Sequence, residues 1–337
     1  MGFLMPRSIA NGAPLLRARL LLAFLTTLCI LSLAQSQSET PQSSPHIKPY
    51  DDKLIRELDA NGERNVFLIW TTNASTFDHL ARACIGSVIA IYGRRVYLFA
   101  NNLTPDDLVG QNWTRANLVH YESPRLVFQG TPLDEWFARS EGKLRSGRFY
   151  FSHVTDMMRF ALVYRHGGLY LDTDVYAIKP ISPSHINHIA PAEHHKKFYE
   201  CAVTYFTRQH PFLSNVLKHI TRNYDAKDYV TAGPRAISTV YNWAPRKDAA
   251  QLPRLIDPGA WWRQAKAFWR DGKLRQKDFK GCEVVHLWGS VARGTTGDRP
   301  TYMHSEEARS RIEQRLGLLR NLKDCRPRGN QTVAEGA

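Results

Sequence analysis

Apolar and polar positions follow two periods from Asn65 onward. NVFLIWTT, Asn65 to Thr72, is an unbroken apolar run of strand length, and RRVYLFA (from Arg94) and ANLVHYE (from Ala116) read the same way. Between the first two, STFDHLARACIGSVIAIYG repeats its apolar residues at helical spacing, with Ser75 at the N-cap position. TPLDEWFARS predicts a helix opened by Thr131, with Pro132 in the first turn and Glu135 near it. Ser152 to His166 predicts another, whose Asp156, Arg159, Phe160 and Val163 share one face. It runs into Gly167-Gly168 and a strand that carries Asp172 and Asp174. After Pro180 come a loop rich in His and Pro, helices from about Pro211 to Tyr224 and Pro234 to Trp243, the strand CEVVHLW, and a charged helix from Ser305 to Leu318. Strands alternating with helices over short connections predict an α/β fold with a mainly parallel sheet covered on both faces.

The first 62 residues do not share this pattern. Arg17 and Arg19 precede an uncharged run, Leu20 to Ala34, and Gln35 to about Ile47 is a polar Ser/Gln/Pro/Thr linker. Fifteen helical residues span about 22 Å, short of a hydrocarbon core, but counting from Leu15 with snorkelling arginines extends the run. The expected layout is a cytosolic tail 1–19, a signal anchor 20–34, a stem 35–62, a donor-binding region 63–182, a C-terminal region 183–325 and a tail 326–337. Arginines before the run orient the bulk of the chain to the lumen. The alternative is a cleaved signal peptide ending at Ser32-Leu33-Ala34, and hence secretion. Acceptor sequons at Asn73, Asn102, Asn112 and Asn330 agree with either route. Four cysteines outside the apolar run, Cys84, Cys201, Cys282 and Cys325, predict at least one disulfide there. A formal charge of +14 admits nucleic acid, an anionic membrane or an anionic small substrate. The basic residues are scattered and no nucleic-acid-binding motif appears, which leaves a phosphate-bearing substrate.

The paired aspartates carry the chemistry. Burying one unpaired carboxylate costs several kcal/mol, so a pair ending an apolar run calls for a cation. On a strand, Asp172 and Asp174 project to one side, toward the crevice where open α/β sheets bind ligands. Carboxylate oxygens suit Mn²⁺ or Mg²⁺, which can also hold a diphosphate. Arg159 offers a fork that matches phosphate, Asp156 can orient it, and Gly167-Gly168 allow a sharp turn and close approach. Tyr170 reads as core beside the pair. Trp261 and Trp262 could stack on an acceptor sugar or pack in the core.

TDMMRFALVYRHGGLYLDTDVYAIKP, with GTPLDEWFA, TAGPRAISTV, VVHLWGSVARGT and a final DC, resembles the α1,4-glycosyltransferases of the Golgi across roughly Asn65 to Cys325. That resemblance implies a GT-A fold, a UDP-sugar donor, Mn²⁺, a glycolipid or glycan acceptor, and retention of the α configuration. By position it implies Asp172, Asp174 and His286 as metal or diphosphate contacts, and Asp156, Arg159, Gly167, Gly168 and Tyr170 around the donor. It also implies Asp174, Asp156 and Arg159 as the residues on which turnover depends. The chain departs from the family at Cys84 to Ile89, at Glu200-Cys201 in place of Asn-Gly, and at Gly289 in place of Asn. Two other readings remain open. One is a non-catalytic glycan-binding or chaperone-like protein of the same fold. The other is a haloacid-dehalogenase-type phosphatase, whose acidic pair has Gly297-Asp298 as its nearest approach.

Overall fold

The computed structural model describes residues 47–53, 55, 64–108, 113–192, 197–244, 254–255, 268–269, 282–290 and 305–320. The strands are β1 (Ile47–Pro49), β2 (Val66–Trp70), β3 (Val96–Ala100), β4 (Asn117–His120), β5 (Gly168–Leu171), β6 (Val175–Ala177), β7 (His188–Pro191), β8 (Tyr199–Phe206), β9 (Arg254–Leu255) and β10 (Val284–His286). The helices are α1 (His79–Tyr92), α2 (Pro124–Phe128), α3 (Asp134–Arg145), α4 (Tyr150–His166), α5 (Pro211–Asn223), α6 (Pro234–Trp243) and α7 (Glu306–Arg320). Eight strands form one sheet in the order β1-β4-β3-β2-β5-β8-β7-β9. The pairs from β1 to β5 are parallel, β8 is antiparallel to both neighbours, and β7 and β9 are parallel. The sheet runs through residues of both the 63–182 and 183–325 regions.

Alternate strand positions face opposite layers. Phe67, Ile69, Tyr97, Phe99, Val119 and Tyr170 pack with residues of α2 to α6, while Val66, Leu68, Trp70, Val96, Leu98, Leu169 and Leu171 pack with α1. Burial on both faces explains why these strands read as continuous apolar runs. The outer side of α1 (Leu80, Cys84) joins Val285, Leu287 and α7 in a third cluster.

Four expectations are corrected. Ser75 does not cap α1. It lies in a short 3₁₀ turn capped by Asn73, Phe77 drops into the core, and Asp78 caps the helix by accepting from the Ala81 N–H at 2.9 Å. Thr131 accepts from Leu133 N–H in a preceding turn, and the helix begins at Asp134. The segment after Pro180 is not simply a loop, since β7 and β8 lie in it, and β8 is buried at all eight positions. Finally, β5 ends at Leu171, so Asp172 and Asp174 occupy the turn into β6 rather than a strand. That turn is closed by Val175 N–H on the Asp172 carbonyl at 3.0 Å.

Gly167 and Gly168 join α4 to β5 with φ of +70° and +116°. A Cβ on Gly168 would lie 2.5 Å from the Asn65 carbonyl oxygen, which is main chain and cannot move aside. Gly168→Ala combines strained φ with this clash and should cost at least about 2 kcal/mol. Thermal melting of the variant checks it, and an unchanged midpoint would contradict the geometry.

Cys84, Cys201 and Cys282 are buried, and the expected disulfide does not form among them. Cys325 lies outside the described residues, as do Leu20 to Ala34, Asn112, Asn330, Trp261 and Trp262. Among the described residues no helix is long and apolar enough to cross a membrane. Asn73 and Asn102 are exposed.

Candidate functional site

The sequence order of the strands reverses at β2, with β3 on one side and β5 on the other, which puts the switch point, where open α/β sheets bind ligands, at the carboxyl ends of β2 and β5. Asp172 follows β5 directly. Its main-chain N–H is tied to the Ala202 carbonyl on β8 at 2.9 Å. Its carboxylate is gripped by both terminal nitrogens of Arg159, at 3.0 and 3.1 Å, and by the Tyr170 hydroxyl at 2.6 Å.

Arg159 lies on α4 one turn from Asp156, and its Nη2 also reaches Asp156 Oδ1 at 2.8 Å. Its Nη1 donates to Cys201 Sγ at 3.0 Å, and the guanidinium sits 4.8 Å from the Tyr170 ring centre. The fork expected to face a phosphate is therefore turned inward. It is buried, and its Nε has no hydrogen-bond partner among the described residues. Burial pushes the Asp156 carboxyl up to about 6, with Arg159 pulling the other way. Burial likewise raises the Cys201 thiol and the Tyr170 phenol well above their usual ranges. Gly233, which precedes α6, presses on Asp156 so closely that an added Cβ would meet its Cγ at 2.5 Å.

His286 arrives from more than a hundred residues away. β10 pairs antiparallel with β6, His286 opposite Val175, which sets the imidazole beside the paired aspartates. Leu287 N–H donates to the Asp174 carbonyl at 2.9 Å, and Gly289 N–H to its Oδ2 at 2.6 Å. Trp288, at φ +53°, makes the bend that aims the Gly289 amide, and its ring stacks on His286 with centroids 4.3 Å apart. The bond at residue 289 is main chain, so the family's Asn is not needed to make it.

His286 Nε2 is 3.4 Å from Asp174 Oδ1, and Nδ1 is 2.7 Å from Glu200 Oε2. Burial disfavours the charged ring, but Glu200 and Asp174 overcome it and hold the imidazole pKa well above its ordinary value. Burial raises the Glu200 carboxyl in turn, opposed by His286. One ligand atom each from Asp172, Asp174 and His286 lie within 4.8 Å of one another. Two hard carboxylates and an imidazole braced by a carboxylate fit a divalent cation such as Mn²⁺ or Mg²⁺.

Glu200 was missed as a site residue. It lies in YECAVTYF, where the apolar run around a lone acid was the available signal. The histidines at 185 and 188 do not join the site. His185 pairs with Glu283 at 2.8 Å, and His188 is buried on β7, while His194 and His195 lie outside the described residues.

Residues 102–196 match the model of the glycosyltransferase sugar-binding region containing the DXD motif. Lactosylceramide 4-alpha-galactosyltransferase of Pan troglodytes is 24% identical over 183 residues, covering 51% of this chain and 50% of that protein. Alpha-1,4-N-acetylglucosaminyltransferase of Homo sapiens is 22% identical over 302 residues, covering 81% and 82%. The chain thus spans about half the length of that galactosyltransferase and most of the N-acetylglucosaminyltransferase. Among solved structures, the PaToxG glycosyltransferase aligns with a TM-score of 0.39 at 13% identity, over 80% of this chain and 94% of that one. The resemblance read from the sequence is borne out at the level of a DXD glycosyltransferase region with α1,4-glycosyltransferase relatives.

Proposed function

We propose that this protein is a metal-dependent glycosyltransferase. It moves galactose or an N-acetylhexosamine from a UDP-sugar onto a glycolipid or glycoprotein glycan in α1,4 linkage, retaining the donor's configuration. The observation that carries the reading is the convergence of Asp172, Asp174 and His286 within 4.8 Å at the crevice. Asp172, Asp174 and His286 would hold a divalent ion, which would supply Lewis-acid neutralisation of the diphosphate. The chain does the positioning. Arg159 and Tyr170 fix both oxygens of Asp172, and the Gly289 amide fixes Asp174. Such preorganisation means little reorganisation is needed as charge develops on the leaving UDP. The acceptor hydroxyl oxygen bonds to the anomeric carbon from the face that UDP leaves, as the bond from that carbon to UDP breaks and the hydroxyl proton passes to the departing diphosphate, which preserves the α linkage.

The test is UDP release by the full chain with Mn²⁺, a panel of UDP-sugars, and galactose- or N-acetylgalactosamine-ended acceptors. Release should need the acceptor and stop with EDTA. Binding of UDP without turnover of any sugar would shift the reading to a glycan-binding protein of this fold.

The reading extends to a Golgi membrane protein with its catalytic part in the lumen, anchored by residues 20–34. After carbonate washing the expressed protein should remain in the membrane pellet, with the exposed Asn73 and Asn102 carrying glycans. A soluble product beginning at Gln35 would instead identify a cleaved signal peptide.

A further inference from the structure

Glu200 lies near the start of β8, an interior strand of the sheet, and is 3% exposed. A carboxylate in that position is costly, and only one of its oxygens is satisfied. Oε2 lies 2.7 Å from His286 Nδ1, whereas Oε1 is buried with no hydrogen-bond partner among the described residues. The carboxylate is also not part of the cluster formed by Asp172, Asp174 and His286. It stands behind the imidazole, with Asp174 on the other side at 3.4 Å from Nε2.

An ionised carboxylate can only accept, so the short contact places a proton on Nδ1. With Nδ1 tied to Glu200, the ring nitrogen left on the side of the paired aspartates is Nε2, whose lone pair a cation takes by displacing its proton. The Trp288 ring stacked at 4.3 Å restricts rotation of the imidazole out of this plane. We propose that Glu200 is a positioning residue for the cation site: through Oε2 it fixes the tautomer and orientation of His286, so that Nε2 serves as a ligand beside Asp172 and Asp174. This rests on the metal-dependent reading above. Glu200 adds negative charge behind the ligand without taking a coordination position, as the carboxylate of a carboxylate–histidine–metal relay does.

The experiment is Mn²⁺ uptake by the full chain in detergent, followed by loss of the free-ion EPR signal, with UDP present throughout. Wild type is compared with Asp174→Asn, Glu200→Gln and Glu200→Leu, and each variant is checked by thermal melting. Glu200→Gln keeps an acceptor for Nδ1–H but loses the charge, so affinity should fall about 10-fold. Glu200→Leu loses both and should fall toward 100-fold, the range for removing such a partner. Glu200→Gln should melt within a few degrees of wild type, because a merely structural carboxylate would change the midpoint and leave Mn²⁺ affinity alone. If Glu200→Leu does not fold, Glu200→Gln decides. Unchanged Mn²⁺ affinity in the Glu200 variants alongside a loss in Asp174→Asn overturns the role of Glu200 and leaves the metal site standing. No uptake by wild type overturns both.

Discussion

Asp174→Asn should lower acceptor-dependent UDP release at least about 10²-fold while moving the melting temperature little. Asp174 is one of two carboxylates facing the crevice, and its Oδ1 lies 3.4 Å from His286 Nε2. The amide is nearly the same size but carries no charge, so the site loses one of the two charges that hold a divalent cation against a diphosphate. The loss is comparable to removing one preorganised stabiliser of transition-state charge, which costs 10²- to 10³-fold elsewhere. Folding is expected to survive because an Asn carbonyl can still accept the Gly289 N–H that now sits 2.6 Å from Oδ2. The same mutation also removes one of a pair of neighbouring like charges. Steady-state rates at saturating donor, with melting curves in parallel, are the measurement. A rate within threefold of wild type would remove Asp174 from the chemistry.

Arg159→Met should have the larger effect on stability. Its guanidinium neutralises Asp156 at 2.8 Å and Asp172 at 3.0 Å, and both Arg159 and Asp156 are buried. Methionine fills much of the volume but leaves two carboxylates without their cation. Removing one partner of a buried ion pair costs about 3–5 kcal/mol. At about 2.1 cal/mol/K of unfolding entropy per residue, that corresponds to a fall in melting temperature of roughly 5–8 °C for a domain of this size. The pH dependence gives a second check. In wild type the Asp156 carboxyl is already raised from 3.8 to about 6, so the stability its protonated form contributes is present below about pH 4 and lost as pH rises through 6. Without Arg159 both carboxylates lose their cation, and the Asp156 carboxyl rises further. The deficit of the variant should therefore be greatest above pH 6 and shrink in acid. A deficit that grew in acid would mean that Arg159 does not act as their counter-ion.

The apolar runs at 66–70 and 96–100 were legible because strands buried on both faces need no polar alternation. The 3.6-residue period of 152–166 was legible because one helix face must meet the sheet. Asp156, Arg159, Asp172 and Asp174 were found as a group for the same reason: the spacing along α4 and the double glycine that follows are local properties of the chain. β7 and β8 were not found, because a segment containing Glu200, Cys201 and several histidines becomes strand only when neighbouring strands supply its hydrogen bonds. Nor did the sequence show that Asp172 and Asp174 sit in a turn. A strand ends where its partners end, and those partners are set by register.

The sequence by itself determined the alternating α/β order, the acidic pair and the helix that carries its counter-ion, since each follows from periodicity or from the cost of burying charge. The tertiary structure decided where that charge is answered. It turned the Arg159 fork inward onto Asp156 and Asp172, because a guanidinium sealed in the core must satisfy the carboxylates beside it before any ligand. It also carried His286 to Asp174 through the β6–β10 pairing and put Glu200 behind it. Contacts across more than eighty residues depend on which strands pair, and no local pattern in the chain encodes that choice.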